Sequence, residues 1–309
     1  MFGTRNARAV LLPRLARLSG LLPLTALMAS RRQIGWMLGR APGLRGRVQT
    51  AMAAALGPEG YTRDHVDAYF RHLANLAVFS AEAFRSGIHA VAERYRIDAL
   101  DPYQRALEHG RGALMVCPHL FGHELLAGAA SAKFPVTFIV RRSPNPEYEA
   151  LKSRWYGALG VEVVYRPQRG ADAGGLTEMR AAVRALRANR VLALTPDIIR
   201  RPGTGVRVRL FGRDVDLPGG AFYLAVRVGA PLFCSFFREE GGRYQAWTDE
   251  PMAIAVTGDR DRDIAVAAQE WADRFERFVR AHPDMWQFWL DKRWRRWLTS
   301  AAPLGASDR

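Results

Sequence analysis

Residues 110–128 carry the stretch that decides the fold, GRGALMVCPHLFGHELLAG. The apolar run at 113–117 follows a Gly-Arg-Gly turn and predicts a short buried strand. The run at 124–132 is rich in alanine and leucine and predicts a helix. His119 therefore lies near a strand-to-helix junction.

The spacing of His119 and Glu124 decides whether their side chains can meet. Two residues five apart on one helix differ by about 140° in direction, because each residue turns roughly 100°. If His119 lies in the turn and Glu124 in the first helical turn, contact is possible. A neighbouring carboxylate fixes the tautomer of an imidazole that acts as a general base. It would also offset the positive helix N-terminus. We predict this pair; the alternative is a structural histidine beside a glutamate that favours the helix N-terminus.

A metal site is a second interpretation of the same stretch, because His119 and His123 are four residues apart and Glu124 is adjacent. Zinc needs three or four ligands, and no other histidine shows a paired ligand spacing. Cys117 and Cys234 lie in apolar runs typical of buried free thiols, which indicates neither a disulfide framework nor a metal cluster. We therefore expect no metal and no cofactor.

Composition and charge restrict the classes of partner. The chain has 309 residues, 49% of them apolar, which is enough for a substantial core and argues against disorder. The formal net charge is +15, and nearly all of the cations are arginine. A GC-rich genome would explain the arginine bias but not the net excess. Such an excess indicates an acidic partner: nucleic acid, an anionic membrane, a phosphorylated substrate or an acidic carrier protein.

The N-terminal region favours the membrane. Apolar residues dominate positions 10–29, but Arg14 and Arg17 interrupt them and speak against a secretory signal. The longest uncharged run, 18–30, is shorter than the ~20 residues that span a bilayer. Leucines fall on one helical face at Leu11, Leu15, Leu18 and Leu22. We predict an interfacial membrane-anchoring helix over 1–32, one main domain over 33–300 and a flexible tail over 301–309; an ordinary docking helix is the alternative at the N-terminus.

Strands and helices alternate through the middle of the chain. Strands are predicted at 113–117, 136–140, 161–165, 191–194, 206–210, 215–217, 231–237 and 244–248, and helices at 62–86, 101–109, 146–156, 176–188, 220–228 and 263–281. This pattern predicts an α/β fold, with a mixed, mostly parallel central sheet flanked by helices. Active sites gather at strand ends in such sheets. His119, Arg141 and Asp197 each follow an apolar strand closely, so we expect them at one edge.

Four sequence blocks follow one another in a characteristic order. They are HxxxxE at 119–124, FIVR at 138–141, TPD at 195–197 before GTG at 203–205, and LPGGA at 217–221 before GAPL at 229–232. This arrangement resembles the lysophospholipid acyltransferase superfamily. The closer similarity is to the late (lauroyl/myristoyl) acyltransferases of lipid A biosynthesis, through an Arg-then-Asn-Pro block at 141–146, Arg154 before a glycine, and a Trp- and Arg-rich end at 286–297.

The resemblance implies that the 33–300 domain is an acyltransferase domain, which moves a fatty acyl chain from an acyl thioester to a hydroxyl of a phosphorylated glycolipid, such as a lipid A precursor. His119 would remove the hydroxyl proton and Glu124 would orient the ring. Arg141 or Arg154 would stabilise the oxyanion or bind substrate phosphates, and Asp197 would orient an arginine or the acceptor, or be a turn residue. Acyl carrier protein is favoured as donor over acyl-CoA, and neither an enzyme nucleophile nor a cofactor is required.

Three positions depart from that subgroup and bear on the acceptor: His123 replaces a usual Trp, Ile198 a Gln or His, and Arg209 a Pro. The expected location is the cytoplasmic face of the inner membrane, as a peripheral or monotopic protein without nucleic acid as a partner. The C-terminal tryptophans suit a membrane interface or a core equally well. Alternatives are an acyl-CoA-dependent phospholipid or glycolipid acyltransferase, a hydrolase and, ranked lowest, a basic nucleic-acid-binding protein.

Overall fold

A computed structural model describes residues 20–97, 101–166, 174–240 and 243–300. Nine strands occur in these ranges. They are β1 Tyr95–Ile97, β2 Ala113–Val116, β3 Val136–Arg141, β4 Glu162–Arg166, β5 Val191–Leu194, β6 Val206–Leu210, β7 Arg213–Leu217, β8 Leu232–Glu240 and β9 Arg243–Thr248.

Eleven α-helices and one 3-10 helix occur in the same ranges. They are α1 Leu24–Arg40, α2 Leu44–Leu56, α3 Arg63–Ser86, α4 His89–Ala92, α5 Asp101–Glu108, α6 His123–Ser131, α7 Pro146–Leu159, α8 Gly174–Arg187, α9 Gly220–Val228, α10 Arg260–Ala281, the 3-10 helix Gln287–Leu290 and α11 Lys292–Thr299.

Seven strands form the central sheet in the order β1-β9-β8-β2-β5-β3-β4. All neighbouring pairs are parallel except β8 and β9, which are antiparallel. Strands β6 and β7 form a separate antiparallel hairpin. The predicted α/β class, with a mixed and mostly parallel sheet flanked by helices, is confirmed.

The middle of the sheet is apolar on both faces because helices cover it from both sides. Every residue of β2 is buried, and so are the first three residues of β5. Hydrophobic side chains there belong to one continuous core that extends to the N-terminal and C-terminal helices. This core fixes the positions of the two strands that precede the candidate site.

The N-terminal helices pack beside the sheet as a layer of their own. Thr62 caps α3 through a reciprocal capping box with His65, as the sequence predicts for the cap. Helix α1 crosses α3 closely at Gly35, where a Cβ atom would stand 3.1 Å from the backbone of Arg71. This helix runs through residue 32, where we placed the end of the anchoring region.

The membrane-anchoring prediction concerns residues 1–32, of which 1–19 lie outside the described residues, as do residues 301–309 of the expected tail. Within the described ranges, no helix combines the length and apolar character needed to span a bilayer. Four large apolar side chains in or just before α1 are exposed: Leu21, Leu22, Trp36 and Met37. The guanidinium of Arg40 lies 3.9 Å from the centre of the Trp36 ring.

The C-terminal tryptophans pack in the core. Trp286, Trp289 and Trp294 are fully buried and Trp297 is 3% exposed. The Trp286 ring makes edge-to-face contacts with Trp289 and Trp294, with centroids 4.7 and 4.9 Å apart. Of the two interpretations, core packing is therefore correct for these side chains. Their spacing follows the helical turns of the C-terminal segment, which is the 3-10 helix and α11.

Candidate active site

His119 and Asp197 meet because two neighbouring parallel strands end in register. Val116, the last residue of β2, pairs with Leu194, the last residue of β5. Each side chain of the pair then follows three residues later, after a proline at position 118 or 196. Equal offsets from paired strand ends bring both side chains to the carboxyl edge of the sheet, the place where α/β proteins build their sites.

An imidazole–carboxylate pair forms at this edge. Nδ1 of His119 lies 2.6 Å from Oδ1 of Asp197, and the His119 backbone N–H donates to Oδ2 at 2.9 Å. The Asp197 side chain is fully buried, whereas that of His119 is 19% exposed. Because a carboxylate only accepts hydrogen bonds, Nδ1 carries the proton and Nε2 of the neutral ring keeps its lone pair. Nε2 has no hydrogen-bond partner among the described residues.

Asp197 is held as a carboxylate. Its burial acts to raise the pKa, but the charge of His119 and the hydrogen bonds from the His119 ring, the Trp286 indole and the His119 backbone outweigh burial and lower the pKa. An ionised partner stabilises the imidazolium that forms when Nε2 takes a proton. The pair therefore has the electrostatics of a general base and its orienting acid.

Glu124 does not pair with His119, which corrects the expected contact. Its carboxylate accepts from the indole N–H of Trp155 at 2.7 Å and from the hydroxyl of Tyr156 at 3.1 Å. These bonds tie the first turn of α6 to α7. Burial and the charge of Glu124 raise the pKa of Tyr156, so its hydroxyl stays a donor. The partner of the imidazole comes from a distant strand end, and any catalytic role of Glu124 stays a prediction.

The segment around the 3-10 helix fixes the histidine turn and was not predicted as part of the site. The Gln287 backbone N–H donates to the His119 carbonyl at 3.0 Å, and its side chain donates to the Leu120 carbonyl at 2.6 Å. The Phe288 ring stacks on the His119 ring with centroids 4.4 Å apart. These contacts hold the imidazole on its backbone side and on one face.

Two buried indoles hold Asp197 from the other side. Nε1 of Trp286 donates to Oδ2 at 2.9 Å, and Nε1 of Trp294 donates to the Asp197 carbonyl at 2.9 Å. Oδ2 thus accepts from Trp286 and from the His119 backbone, which leaves Oδ1 for the ring. The sequence signal for these two donors is the tryptophan-rich C-terminal end. That signal identifies an indole as a donor to the site only when the buried acceptor is already known.

His123 stands beside the pair, with its ring centroid 4.9 Å from that of His119. Nδ1 lies 3.0 Å from the Leu120 carbonyl, which fixes the Nδ1–H tautomer. Burial lowers the pKa of His123, and the proximity of His119 lowers it further. A neutral His123 does not repel the imidazolium that His119 forms. No set of three or more metal-ligating side chains is grouped around these rings or elsewhere in the described ranges.

The two predicted arginines occupy different places. Arg141 ends β3, the strand next to β5, so it stands at the same edge as His119 and Asp197. The Arg154 guanidinium lies 4.7 Å from the ring centre of Phe84, on the contact between α3 and α7. Substrate binding by either arginine stays a prediction.

The start of α6 presents backbone N–H groups next to His119. Its N-cap is Gly122, at φ 98°, which offers no side chain to cap the helix. A Cβ atom there would lie 2.4 Å from the Tyr95 hydroxyl oxygen, so both the conformation and the space require glycine. The nearby Cys117 thiol is no nucleophile, because burial raises its pKa well above the usual value.

The fold and the site define an α/β protein with an imidazole–carboxylate pair at the carboxyl edge of its central sheet. The chain belongs to the bacterial lipid A biosynthesis acyltransferase family, whose sequence model matches residues 7–296. The resemblance found in the sequence blocks is thereby confirmed.

The names of the curated relatives refer to a different lipid, phosphatidylinositol mannoside. Phosphatidylinositol mannoside acyltransferases from two strains of Mycobacterium tuberculosis are 32% identical over 206 residues, which cover 64% of this chain. The match spans 59% of the length of those relatives. The corresponding protein of Mycolicibacterium smegmatis is 29% identical over 72% of this chain and 70% of its own length.

Proposed function

We propose that this acyltransferase moves a fatty acyl chain from an acyl thioester to a hydroxyl of a phosphorylated glycolipid, with His119 as the general base and Asp197 as its orienting carboxylate. One observation carries the proposal. Nδ1 of His119 is bound to a buried, ionised Asp197 at 2.6 Å, while Nε2 has no partner among the described residues and the ring is partly exposed. This is the arrangement of a base that awaits a substrate proton.

In the proposed reaction, Nε2 of His119 takes the proton of the acceptor hydroxyl as its oxygen attacks the thioester carbonyl carbon. The tetrahedral intermediate then collapses, the carbon–sulfur bond breaks, and the imidazolium returns its proton to the departing thiolate. The ester and a free thiol are the products. Asp197 stabilises the imidazolium between the two steps, and no covalent acyl-enzyme and no cofactor is needed.

The oxyanion of the intermediate needs hydrogen-bond donors. Helix α6 begins four residues after His119 and has no side-chain cap. The His123 N–H donates to the Leu120 carbonyl, so the N–H groups of residues 124 and 125 are the donors that the helix start offers. Arg141 at the same sheet edge is a second source of positive charge. We assign the oxyanion to the helix start and a substrate phosphate close to this edge to Arg141.

We propose the acceptor as a chemical class, the one shared by the lipid in the family name and the lipid in the names of the relatives. Lipid A precursors and phosphatidylinositol mannosides are phosphate-bearing glycolipids with sugar-borne hydroxyls. The net charge of +15 suits such substrates and an anionic membrane surface. Trp36 and Met37 are 59% and 56% exposed on α1, which supports contact with a membrane interface. We propose the cytoplasmic face of the inner membrane as the location.

A substrate panel tests this proposal. Purified protein in detergent would be given acyl-CoA or acyl carrier protein thioesters of several chain lengths, together with a lipid A precursor or a phosphatidylinositol mannoside, and products would be identified by mass spectrometry. We expect an ester on one of these acceptors and its loss in His119→Ala. Thioester hydrolysis without transfer to any glycolipid would instead favour a hydrolase.

A further inference from the structure

A second concave site lies between α2 and α11, apart from the His119 edge. The cleft has a volume of about 710 Å³, within the range of small-molecule sites. Four cationic side chains line it: Arg47, Lys292, Arg295 and Arg296. The described lining contains no carboxylate. The charge of the lining therefore favours an anionic ligand.

The lining follows helical periodicity on both walls. On α11 the lining positions are 292, 295, 296 and 299, and on α2 they are 46, 47, 50 and 51. Residues spaced by three and four lie on one face of a helix, so each helix turns a single face to the cleft. Thr50 and Thr299 add hydroxyl groups to these faces.

The four cations have no counter-charge in the described ranges. None of them takes part in an ion pair there, whereas the neighbouring Arg293 is paired with Asp291. Lys292 and Arg296 are four residues apart on one helix and repel one another. In addition, Nε of Arg295 is buried without an acceptor. An oxyanion in the cleft would supply the missing acceptor and relieve the repulsion.

The open wall of the cleft lies at Gly46. A Cβ atom built there would meet no other atom within 4 Å, so the space beside this turn of α2 is free. Because cationic side chains approach the cleft from both walls, it suits a compact group of phosphates. Four cations favour a ligand that carries more than one negative charge.

The cleft also lies close to the reacting edge. Lys292 follows Phe288 by four residues, and four residues span at most about 14 Å. The Phe288 ring stacks on the His119 ring at 4.4 Å. One extended substrate can therefore reach both places.

We propose that the cleft between α2 and α11 is a phosphate-binding site, in which Arg47, Lys292, Arg295 and Arg296 bind the phosphate-bearing part of a substrate whose reacting group lies at His119. The existence of the site follows from the cleft itself. Two parts rest on the proposed function: the position of the reacting group at His119, and the source of the phosphates, which is the nucleotide end of a coenzyme A thioester or the headgroup of the acceptor lipid.

Calorimetry with soluble fragments tests the site without acyl transfer. The probes are adenosine 3′,5′-bisphosphate for the donor, glycerophosphoinositol for the acceptor and inorganic phosphate as reference. We expect one of the two esters to bind in a 1:1 ratio, at least about tenfold more tightly than inorganic phosphate. Since no probe contains a thioester, absence of binding and absence of transfer are separate results.

Two variants remove the site in different ways. Gly46→Glu places a carboxylate in the open wall without a clash, and Lys292→Ala/Arg296→Ala removes two exposed cations. Each should weaken binding of the ester about tenfold or more. Gly157→Glu, at another exposed helical glycine with nothing within 4 Å, and Arg184→Ala/Arg187→Ala, with the same change of charge, are matched controls and should bind within twofold of the native protein.

The outcomes are exclusive. Tight binding of the bisphosphate identifies the donor end, and tight binding of glycerophosphoinositol identifies the acceptor headgroup; both support a phosphate site. If the donor end binds there, the double variant should raise KM for acyl-CoA and leave kcat unchanged. Equal affinity for all three probes, or native affinity in both cleft variants, would overturn the proposal.

Discussion

Asp197→Asn is the sharpest perturbation of the proposed base, because Asp197 accepts three N–H groups with two oxygens. Oδ1 accepts from the His119 ring, while Oδ2 accepts from the His119 backbone and from Trp286. Asparagine has one acceptor oxygen and one donor group. With its oxygen towards the two donors at Oδ2, it keeps two hydrogen bonds and turns its N–H groups to Nδ1 of His119.

The opposite orientation would set the amide N–H groups against two N–H donors. Each unsatisfied buried group costs roughly 1–3 kcal/mol, so the first orientation prevails. Nδ1 must then accept, the proton moves to Nε2, and the ring is no longer a base at the atom that faces the substrate. General-base catalysis contributes about 10²–10⁴-fold, which corresponds to about 3–5 kcal/mol of barrier. We expect kcat to fall by that factor.

The assay is the release of free thiol from the acyl thioester at saturating acceptor, with urea unfolding measured alongside. Asp263→Asn is the control, since Asp263 is a buried aspartate that accepts from Thr257 at the start of α10. Native-like stability with kcat within tenfold of the native protein would refute the role of Asp197.

The pH dependence of stability gives a second check on Asp197. Because its pKa is lowered in the folded protein, the ionised carboxylate stabilises the folded state at pH values above the usual aspartate pKa of about 3.9. The stability gap between the native protein and Asp197→Asn should therefore narrow as pH falls below that range.

Three further changes test the surroundings of the pair. Trp286→Phe removes the donor to Oδ2 and shortens a fully buried ring, so kcat should fall about tenfold at nearly constant KM, with a stability cost of about 1–3 kcal/mol; an unchanged kcat would remove Trp286 from the positioning set. Glu124→Gln can still accept from the Trp155 indole and can donate to the Tyr156 oxygen, so it replaces two charge-assisted hydrogen bonds by neutral ones and should cost about 1 kcal/mol of unfolding free energy while kcat stays within tenfold; a loss as large as that of Asp197→Asn would restore Glu124 to the catalytic pair. Trp36→Ser/Met37→Ser should lower binding to anionic vesicles in a flotation assay at unchanged stability, and unchanged flotation would exclude this face of α1 from membrane contact.

Much of the fold follows from local sequence pattern. Strand β5 and helix α9 occur at the predicted residues, because an apolar run and an alanine-rich amphipathic segment each end at a clear signal. The elements that were not predicted carry weak local signals. Strand β1 has only three residues, and α2 begins after a glycine in an arginine-rich stretch without a side-chain cap. Their positions are set by packing against distant elements.

The site divides in the same way. That His119, Arg141 and Asp197 share one edge follows from strand ends in a parallel sheet, and the structure places all three there. The partner of His119 could not be predicted in this way, because Glu124 is near His119 in sequence, whereas Asp197 is near it only through strand register. The role of Trp286 could not be predicted for the same reason, because its indole becomes a donor to the site only when the buried carboxylate of Asp197 is known to lie beside it.

Acyl transfer by His119→Ala tests the central claim most directly. The change removes the base and leaves Asp197 with its donors from Trp286 and from the residue 119 backbone, so the protein should fold. Turnover would be measured with the donor and acceptor that the native protein uses, at concentrations that saturate both proteins. The proposed mechanism predicts a loss of kcat of at least about 10²-fold with substrate binding retained. A folded variant that transfers the acyl chain at a native rate would contradict it.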